Sequence, residues 1–350
     1  KEFKKLLTGI TQTCDRFLMI ISKTPLRVSL FGGGTDYPDW YRKNGGAVLA
    51  TTINKYCYIT CRYLPPFFPY KHRFVYSKVE TVDSLEEIKH PAVRAILKTF
   101  GEERGLEVHY DADLPAQTGV GSSSSFTVGF AHALKVLKGE SIGKNELAKL
   151  AIHLEQNVMN ENVGVQDQIL AAYGNFNKID VYPDDSFKVA PVIMNRERMD
   201  SFQDHLMLFF TGVTRIASNI VGDQLKNIKN MGNHYVKIRE FVDEALIILQ
   251  DENKPFLAIG NLLHESWKLK RELSNTISNP QIDQIYEEGI EAGALGGKIL
   301  GAGGGGFIIF FAAPEHHANI RNKLKNLTHV PFRFDNMGSK IVVYEPNGFR

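Results

Sequence analysis

The sequence predicts an α+β fold in two lobes that divide near residue 200. Three observations carry this reading. Strand-like patterns dominate from Ile20 to Asp111, helical periodicity dominates from Ile216 to Ala292, and three glycine-rich loops each adjoin a strand or a helix end. At 350 residues, 43% hydrophobic and 23% charged, the chain is long enough for one large domain or two packed ones.

In chain order, Ile20 to Phe31 reads as a strand that runs into "GGGTDYP". Ala47 to Thr52 and Tyr56 to Tyr63 read as two further strands, the second clearly alternating. Arg73 to Val79 and Leu106 to Asp111 are strand candidates, with a helix near Pro91 to Phe100 between them. After "GVGSSSS", Phe126, Phe130, Ala133, Leu134 and Leu137 recur at helical spacing, which sets the serines at a helix N-terminus. Asn145 is the expected cap of a second helix, whose apolar stripe is Leu147, Leu150, Leu154 and Val158. A short helix ends near Gly174. Strands follow at Phe176 to Val181, Phe187 to Ile193 and Leu206 to Thr211. The late helices break near Gly232, Lys254-Pro255 and Asn279-Pro280, and a last strand is expected at Ile341 to Tyr344.

Composition narrows the function. The formal net charge is +2, with acids and bases interleaved, so neither a nucleic-acid surface nor a membrane patch is indicated. A small-molecule partner is expected instead. The three cysteines, Cys14, Cys57 and Cys61, are too few and too scattered for a disulfide framework and suit a reducing cytoplasm. Cys57 and Cys61 lie on one face of a strand, and with no further Cys or His joining them they read as two buried thiols. No apolar run reaches about 18 residues, the length of a spanning helix. Met19 reads as a natural start and residues 1–18 as an N-terminal extension without an assigned role.

The three glycine loops are "LFGGGTD" (30–36), "QTGVGSSSS" (117–125) and "LGAGGGGF" (300–307). In the central one, Gly119 and Gly121 let successive amides point one way, and the helix start leaves N–H groups unpaired beside a partial positive charge. That is an anion site, to which the serine hydroxyls add donors, or oxygens for a hydrated Mg²⁺. The loop lacks the lysine of a Walker A motif, the second glycine of a nucleophile elbow and the third glycine of a dinucleotide fingerprint. Two acids follow it, Glu155 beside the apolar stripe of the second helix and Asp167 at a helix start. Each alone reads as a surface charge or a helix-end partner. Beside a phosphate loop they read as a Mg²⁺ ligand and a base for an acceptor hydroxyl.

"TPLRVSLFGGGTDY", "LPAQTGVGSSSS" and "KILGAGGGGF" resemble, in order, the three motifs of the GHMP kinases, named for galactokinase, homoserine kinase, mevalonate kinase and phosphomevalonate kinase. Pro115, Gly119, Val120, Gly121, Ser122 and Ser123 meet the family's second motif, and the resemblance runs from about residue 20 to residue 345. It implies a two-lobed α+β fold. Residues 19–200 would be an N-terminal ATP-binding lobe with a ribosomal-protein-like β-α-β unit. Residues 201–350 would be a ferredoxin-like C-terminal lobe. It also implies roles: Gly119 to Ser125 around the phosphates of ATP, Ser123 and Glu155 on Mg²⁺, and Asp167 as the catalytic acid-base or orienting residue. Arg27 would neutralise charge at the transferred group, and Gly301 to Gly306, with Gly303 and Gly304 central, would form the cleft floor. A homodimer stays open.

The acceptor is read the same way. Asp36, with Gly33, Gly34 and Thr35, resembles the sugar-holding "TDY" segment of sugar 1-kinases. Galactokinases carry Glu-His where this chain has Gly33 and Gly34, which implies a roomier pocket. "GGGTDYP" with "ENVGVQDQ" most resembles bacterial D-glycero-D-manno-heptose 7-phosphate kinases, so the expected reaction is ATP-dependent 1-phosphorylation of that sugar phosphate. A fucokinase-like or galactokinase-like kinase of an unphosphorylated sugar is the alternative, and a non-catalytic sugar and ATP sensor is the rival outside catalysis. A sugar phosphate needs a second anion site. The candidates are Arg62, Lys71, His72, Arg73, Lys178 and, first among them, Arg215.

Overall fold

The computed structural model describes residues 19–65, 67–213, 222–223, 227–228 and 230–345. The N-terminal extension expected at residues 1–18 lies outside the described residues, as does Arg215.

The first half is built on one long antiparallel pair. Strand β1 (Met19–Phe31) leads through a tight glycine loop and helix α1 (Pro38–Asn44) into β2 (Gly46–Tyr63). The two strands expected at 47–52 and 56–63 are therefore one. Residues 53–55 carry the strand on, and the register slips at Pro25/Leu26, where proline has no N–H to give the ladder. The length of β2 lets it serve two neighbours on the side away from β1. Its first half pairs with β6 (Phe176–Val181) and its second half with β5 (Leu106–Ala112).

The candidate strand at 73–79 is instead a hairpin, β3 (His72–Val75) and β4 (Val79–Val82), turned at Tyr76 to Lys78. Helix α2 (Pro91–Phe100) makes the crossover from it to β5, which runs parallel to β3. Strand β7 (Phe187–Pro191) extends the sheet beyond β6.

Helix α3 (Ser122–Leu137) packs on β1 and β2. Gly129 permits the close approach, since a Cβ there would stand 2.8 Å from the Thr24 hydroxyl. The next helix, α4 (Lys144–His153), starts after Gly143, so Asn145 lies inside its first turn rather than capping it. It ends in a π-helical turn, Leu154–Val158, that carries Glu155. Helix α5 (Gln166–Tyr173) follows and ends at Gly174.

Helix α6 (Arg196–Asp204) leads into a second sheet, β8 (Leu206–Phe210), β10 (Phe307–Phe311), β9 (Gly296–Ile299) and β11 (Thr328–His329), antiparallel in the order β11-β8-β10-β9. Around it lie α7 (Gly232–Gln250), α8 (Leu257–Glu272), α9 (Pro280–Glu291) and α10 (His317–Lys323). The last strand, β12 (Lys340–Glu345), returns to the first sheet and pairs with β1, so the chain's end completes the lobe in which it began.

The lobes share a core. Leu26, Val28 and Leu30 of β1 pack in one cluster with Leu249, Leu263, Leu300, Phe307 and Phe311. Burying each such side chain contributes roughly 1.5–3 kcal/mol, so the seam is a hydrophobic contact and not a hinge over water. This seam is where the three glycine loops meet. A Cβ on Gly119 would stand 2.3 Å from the Leu300 carbonyl oxygen, and one on Gly306 would stand 2.2 Å from that of Thr118. Both glycines also have positive φ, +80° and +90°, so neither position tolerates a side chain.

Candidate active site

The seam opens into a cavity of about 820 Å³ lined by both lobes. Its centre is an ion pair. Arg27, on β1, reaches Asp167 with two parallel hydrogen bonds, Nε to Oδ1 and Nη2 to Oδ2, each 2.7 Å. The guanidinium also donates to the Gly119 carbonyl, and the Arg27 amide donates to the Val120 carbonyl at 3.0 Å. Arg27 is almost wholly buried, whereas Asp167 keeps 23% of its side chain exposed toward the cavity. A bidentate pair of this kind fixes the carboxylate's position as well as its charge. The built Cβ of Gly121 would stand 3.4 Å from Asp167 Oδ2, which places the aspartate against the phosphate loop.

That loop is built as the sequence implies. Gly119 and Gly121 have φ of +80° and +75°, and α3 starts at the next residue. The first helical return bond is Ser125 N–H to the Gly121 carbonyl, so the amides of Ser122, Ser123 and Ser124 belong to the unpaired first turn. With the helix dipole behind them they form a cradle for phosphate oxygens. Ser122, Ser123 and Ser124 line the cavity, and Ser123 is the exposed one.

The remaining motif residues serve the fold. The Ser125 hydroxyl is spent on the Pro25 carbonyl at 2.9 Å, and the Val120 side chain lies in the core shared by the lobes. Pro115 stands outside the cavity, its carbonyl holding the Thr118 hydroxyl at 2.6 Å.

Behind the serines, Glu155 is completely buried. Its Oε2 accepts from the Ser124 hydroxyl at 2.9 Å and from the Gln168 side-chain amide, while its Oε1 has no partner. Burial raises its pKa to about 8, against the pull of the nearby Thr127 hydroxyl and of the Ser124 and Gln168 hydrogen bonds, and the Glu161 charge pushes the same way as burial. The unpartnered carboxylate oxygen and the Ser124 hydroxyl are hard oxygen donors of the kind Mg²⁺ accepts, but Glu155 itself lies outside the cavity lining, one layer behind Ser124. Among the described residues no cluster of three or more His, Cys, Asp or Glu side chains forms a metal cage.

The loop after β1 builds the part of the cavity around Asp36. Asp36 is fully buried, accepting from the Gly34 amide (3.0 Å), the Gln166 amide (3.2 Å) and the Gln166 side chain (3.1 Å). Burial raises its pKa, and the nearby Asp167 charge adds to this. Gly164 is required beneath it, since a Cβ there would stand 2.0 Å from Asp36 Oδ2. Around it, Ser29 Oγ and Gln166 Oε1 are buried polar atoms with no partner. Both residues line the cavity with Gly33, Gly34 and Tyr37, so this end presents polar atoms waiting for hydroxyl groups. The position of Gly33 is open, its built Cβ meeting nothing closer than Ser29 Oγ at 3.4 Å.

Thr35 does not join in. Its hydroxyl donates to the Gly32 and Ala47 carbonyls and accepts from the Ala47 amide, so it holds the turn. On the floor, Gly303 lines the cavity, whereas Gly304 lies outside the lining and bonds the Ile277 carbonyl.

The candidates for a second anion site that lie among the described residues are elsewhere. Arg62 and Arg73 both pair with Glu107, Lys178 pairs with Asp180 and Asp243, His72 is buried behind β5, and Lys71 faces solvent. None of these lines the cavity. Cys57 and Cys61 are buried free thiols whose pKa values burial raises.

Sequence reasoning missed three groups in the cleft. Two lysines of the second lobe, Lys270 and Lys298, line it in buried positions. Gln166 orients Asp36. An aromatic end formed by Tyr76, His90, Tyr110 and Phe126 closes the cavity beyond the serines, with ring centroids 4.9–5.5 Å apart. Only Gln166, one residue from Asp167, carried a local signal. Lys298 heads the third glycine-rich motif, but nothing in that motif marked the lysine itself, and the others arrive from distant elements with ordinary core patterns.

Comparison with known proteins bears on the family. Residues 87–175 match the GHMP kinases N terminal domain and residues 249–328 the GHMP kinases C terminal domain. The chain is 30% identical over 322 residues, 87% of its length and 93% of the relative, to a D-glycero-alpha-D-manno-heptose 7-phosphate kinase of Campylobacter jejuni. Its fold is similar to that of a crystal structure titled as a D-glycero-D-manno-heptose 1-phosphate kinase from Bacteroides thetaiotaomicron, with a TM-score of 0.75 at 23% identity, covering 91% of this chain and 97% of that one. It is also similar in fold to a Lactococcus lactis galactokinase solved with galactose, with a TM-score of 0.72 at 17% identity, covering 97% of this chain and 100% of that one. The match to the Campylobacter protein, over 87% of this chain and 93% of that one, settles the family: this chain is a GHMP kinase, an ATP-dependent kinase of sugars.

Proposed function

We propose that the chain transfers the γ-phosphoryl group of ATP to the anomeric hydroxyl of D-glycero-D-manno-heptose 7-phosphate, giving the 1,7-bisphosphate. The observation that carries the reading is the Arg27–Asp167 pair, set between a phosphate cradle and a loop of unpaired polar atoms in one cavity. The base of ATP occupies the aromatic end, and the amides of Ser122 to Ser124 receive the phosphates.

Asp36 and Gln166 accept from and donate to sugar hydroxyls and set the anomeric oxygen against Asp167. That oxygen attacks the γ-phosphorus, the bond to the β-γ bridging oxygen breaks, ADP leaves, and Asp167 orients or accepts the hydroxyl proton. Arg27 holds Asp167 in place and adds positive charge where the phosphoryl group crosses. Ser123 and Glu155 would hold Mg²⁺, which neutralises phosphate charge when bound.

The open position at Gly33 leaves room for a larger sugar than a hexose, and the 30% identical relative is a heptose 7-phosphate kinase by name. No helix among the described residues is long and apolar enough to cross a membrane.

The test is steady-state kinetics with heptose 7-phosphate, heptose, fucose and galactose. The expected kcat/KM for the 7-phosphate exceeds that for heptose at least about 100-fold, because a site built for a phosphate loses its charged hydrogen bonds with the unphosphorylated sugar. Equal efficiencies would remove heptose 7-phosphate as the acceptor.

A further inference from the structure

Arg27, His90, Lys270 and Lys298 are the basic side chains lining the cleft among the described residues. Arg27 has Asp167 as its counter-charge, and burial lowers the pKa of His90 at the aromatic end. Lys270, on α8, and Lys298, on β9, are different. They keep 8% and 4% of their surface, and neither has a carboxylate partner among the described residues.

Each ammonium donates to a single carbonyl oxygen, Lys270 to Gly301 at 2.7 Å and Lys298 to Leu30 at 3.1 Å. Two donors on each are left over. Asp36 is the acid whose charge reaches both, but its oxygens are already engaged by Gly34 and Gln166. A buried cation without a partner is costly, and an adjacent pair is costlier still.

The two carbonyls locate the pair. Gly301 packs against Gly119, its built Cβ only 2.7 Å from the Gly119 Cα, so Lys270 stands at the phosphate loop. Leu30 follows Ser29 at the acceptor loop, so Lys298 stands there. We infer that Lys270 and Lys298 form a buried phosphate-binding floor, contributed by the second lobe, for a phosphate group that the substrates bring into the cleft.

Such a group comes from one of two sources, the γ-phosphoryl group of the nucleotide or the acceptor's own phosphate. The second source rests on the heptose 7-phosphate reading; the first does not. The charged groups facing the pair are Arg27 from β1, Asp36 from the loop after it and each lysine toward the other, with Asp167 behind Arg27. Burial first, and then the Arg27 charge, lowers the Lys270 pKa to about 8; burial and the neighbouring Lys270 and Arg27 charges hold Lys298 well below the usual lysine range. A phosphate arriving between them therefore draws in protons.

The test is calorimetric titration of wild type, Lys270→Met, Lys270→Gln and Lys298→Met with four probes: ADP, a non-hydrolysable ATP analogue, heptose 7-phosphate and heptose. Runs at pH 8 in two buffers of different ionisation enthalpy report proton uptake. Wild type is expected to take up a fraction of a proton with the phosphate-bearing probe, and the variants to lose that uptake along with at least about 10-fold in affinity.

Loss for the ATP analogue but not ADP assigns the γ-phosphoryl group. Loss for heptose 7-phosphate but not heptose assigns the acceptor's phosphate, and loss for both assigns both. If heptose 7-phosphate fails to bind wild type, the acceptor reading falls while the ATP and ADP arms still test the floor. Unchanged affinity and unchanged uptake for every probe overturn the inference. A structural role predicts a lower Tm instead. The Lys270 variants are expected to keep the wild-type Tm, since removing an unpaired buried charge relieves a cost, and Lys270→Gln also keeps a donor for the Gly301 carbonyl.

Discussion

Replacing Asp167 with Asn lowers kcat about 10³-fold while nucleotide affinity stays within a few-fold of wild type. Among the described residues the hydrogen bonds of the Asp167 carboxylate go to Arg27 and not to the glycine-serine loop, so the loop keeps its shape. What is lost is specific. Asp167 receives two 2.7 Å hydrogen bonds from Arg27 and presents its exposed remainder to the cavity. An amide in its place accepts on one atom only, turns a donor toward the guanidinium on the other, and cannot take a proton from the acceptor hydroxyl. Steady-state ADP release, with a parallel nucleotide titration, reads both quantities. A variant that keeps kcat within tenfold of wild type would remove Asp167 from the chemistry. A variant that loses nucleotide binding would show the pair to be a strut of the phosphate loop.

Glu155→Gln separates activity from stability. Burial raises the Glu155 pKa from the ordinary carboxylate value of 4.5 to about 8, so in the metal-free protein the group carries its proton at neutral pH. A folded pKa above the unfolded one means that the folded state binds more protons between those values. The contribution is therefore fully present below about pH 4.5 and is lost as pH rises through about 8. Glutamine has the shape of the protonated acid and no such decay. Without metal, the variant's Tm should match wild type at pH 5 and equal or exceed it at pH 8.

Mg²⁺ favours the deprotonated carboxylate, so adding it should raise the wild-type Tm and leave the variant's unchanged. Mg²⁺-supported kcat/KM should fall at least about 100-fold in the variant. Thermal melts at the two pH values, with and without Mg²⁺, decide the matter. A variant that melts lower at pH 8 and keeps its activity would make Glu155 a packing residue.

How much of this was legible follows from the range of each interaction. The glycine loops are local: Gly119 and Gly121 before a serine run and a helical stripe specify a helix N-terminus with free amides in a dozen residues. Asp167 is legible for the same reason, lying at a helix start that its neighbours define, whereas Asp36 is legible through the resemblance of its "TDY" segment to sugar 1-kinases. Side-chain choices within those motifs are not local. Whether the Ser125 hydroxyl faces phosphate or the Pro25 carbonyl, 100 residues away, depends on how α3 lies on the sheet. Thr35 likewise turns inward because β2 offers it the Ala47 carbonyl.

The cluster "YKHR" looks basic in sequence, yet Arg73 is neutralised by Glu107 on a strand that only the fold brings beside it. Conversely, Lys270 sits in an unremarkable amphipathic helix and Lys298 at the head of a glycine loop. Nothing in either segment marks a lysine that the fold will bury without a counter-charge.

The most direct test of phosphoryl transfer to the anomeric hydroxyl is phosphorus NMR of the product formed from Mg·ATP and heptose 7-phosphate. The expected result is one new phosphate resonance coupled to the anomeric proton, appearing in step with ADP while the 7-phosphate resonance persists. A new phosphate coupled to any other sugar proton, or ATP left intact with every sugar supplied, would contradict the account.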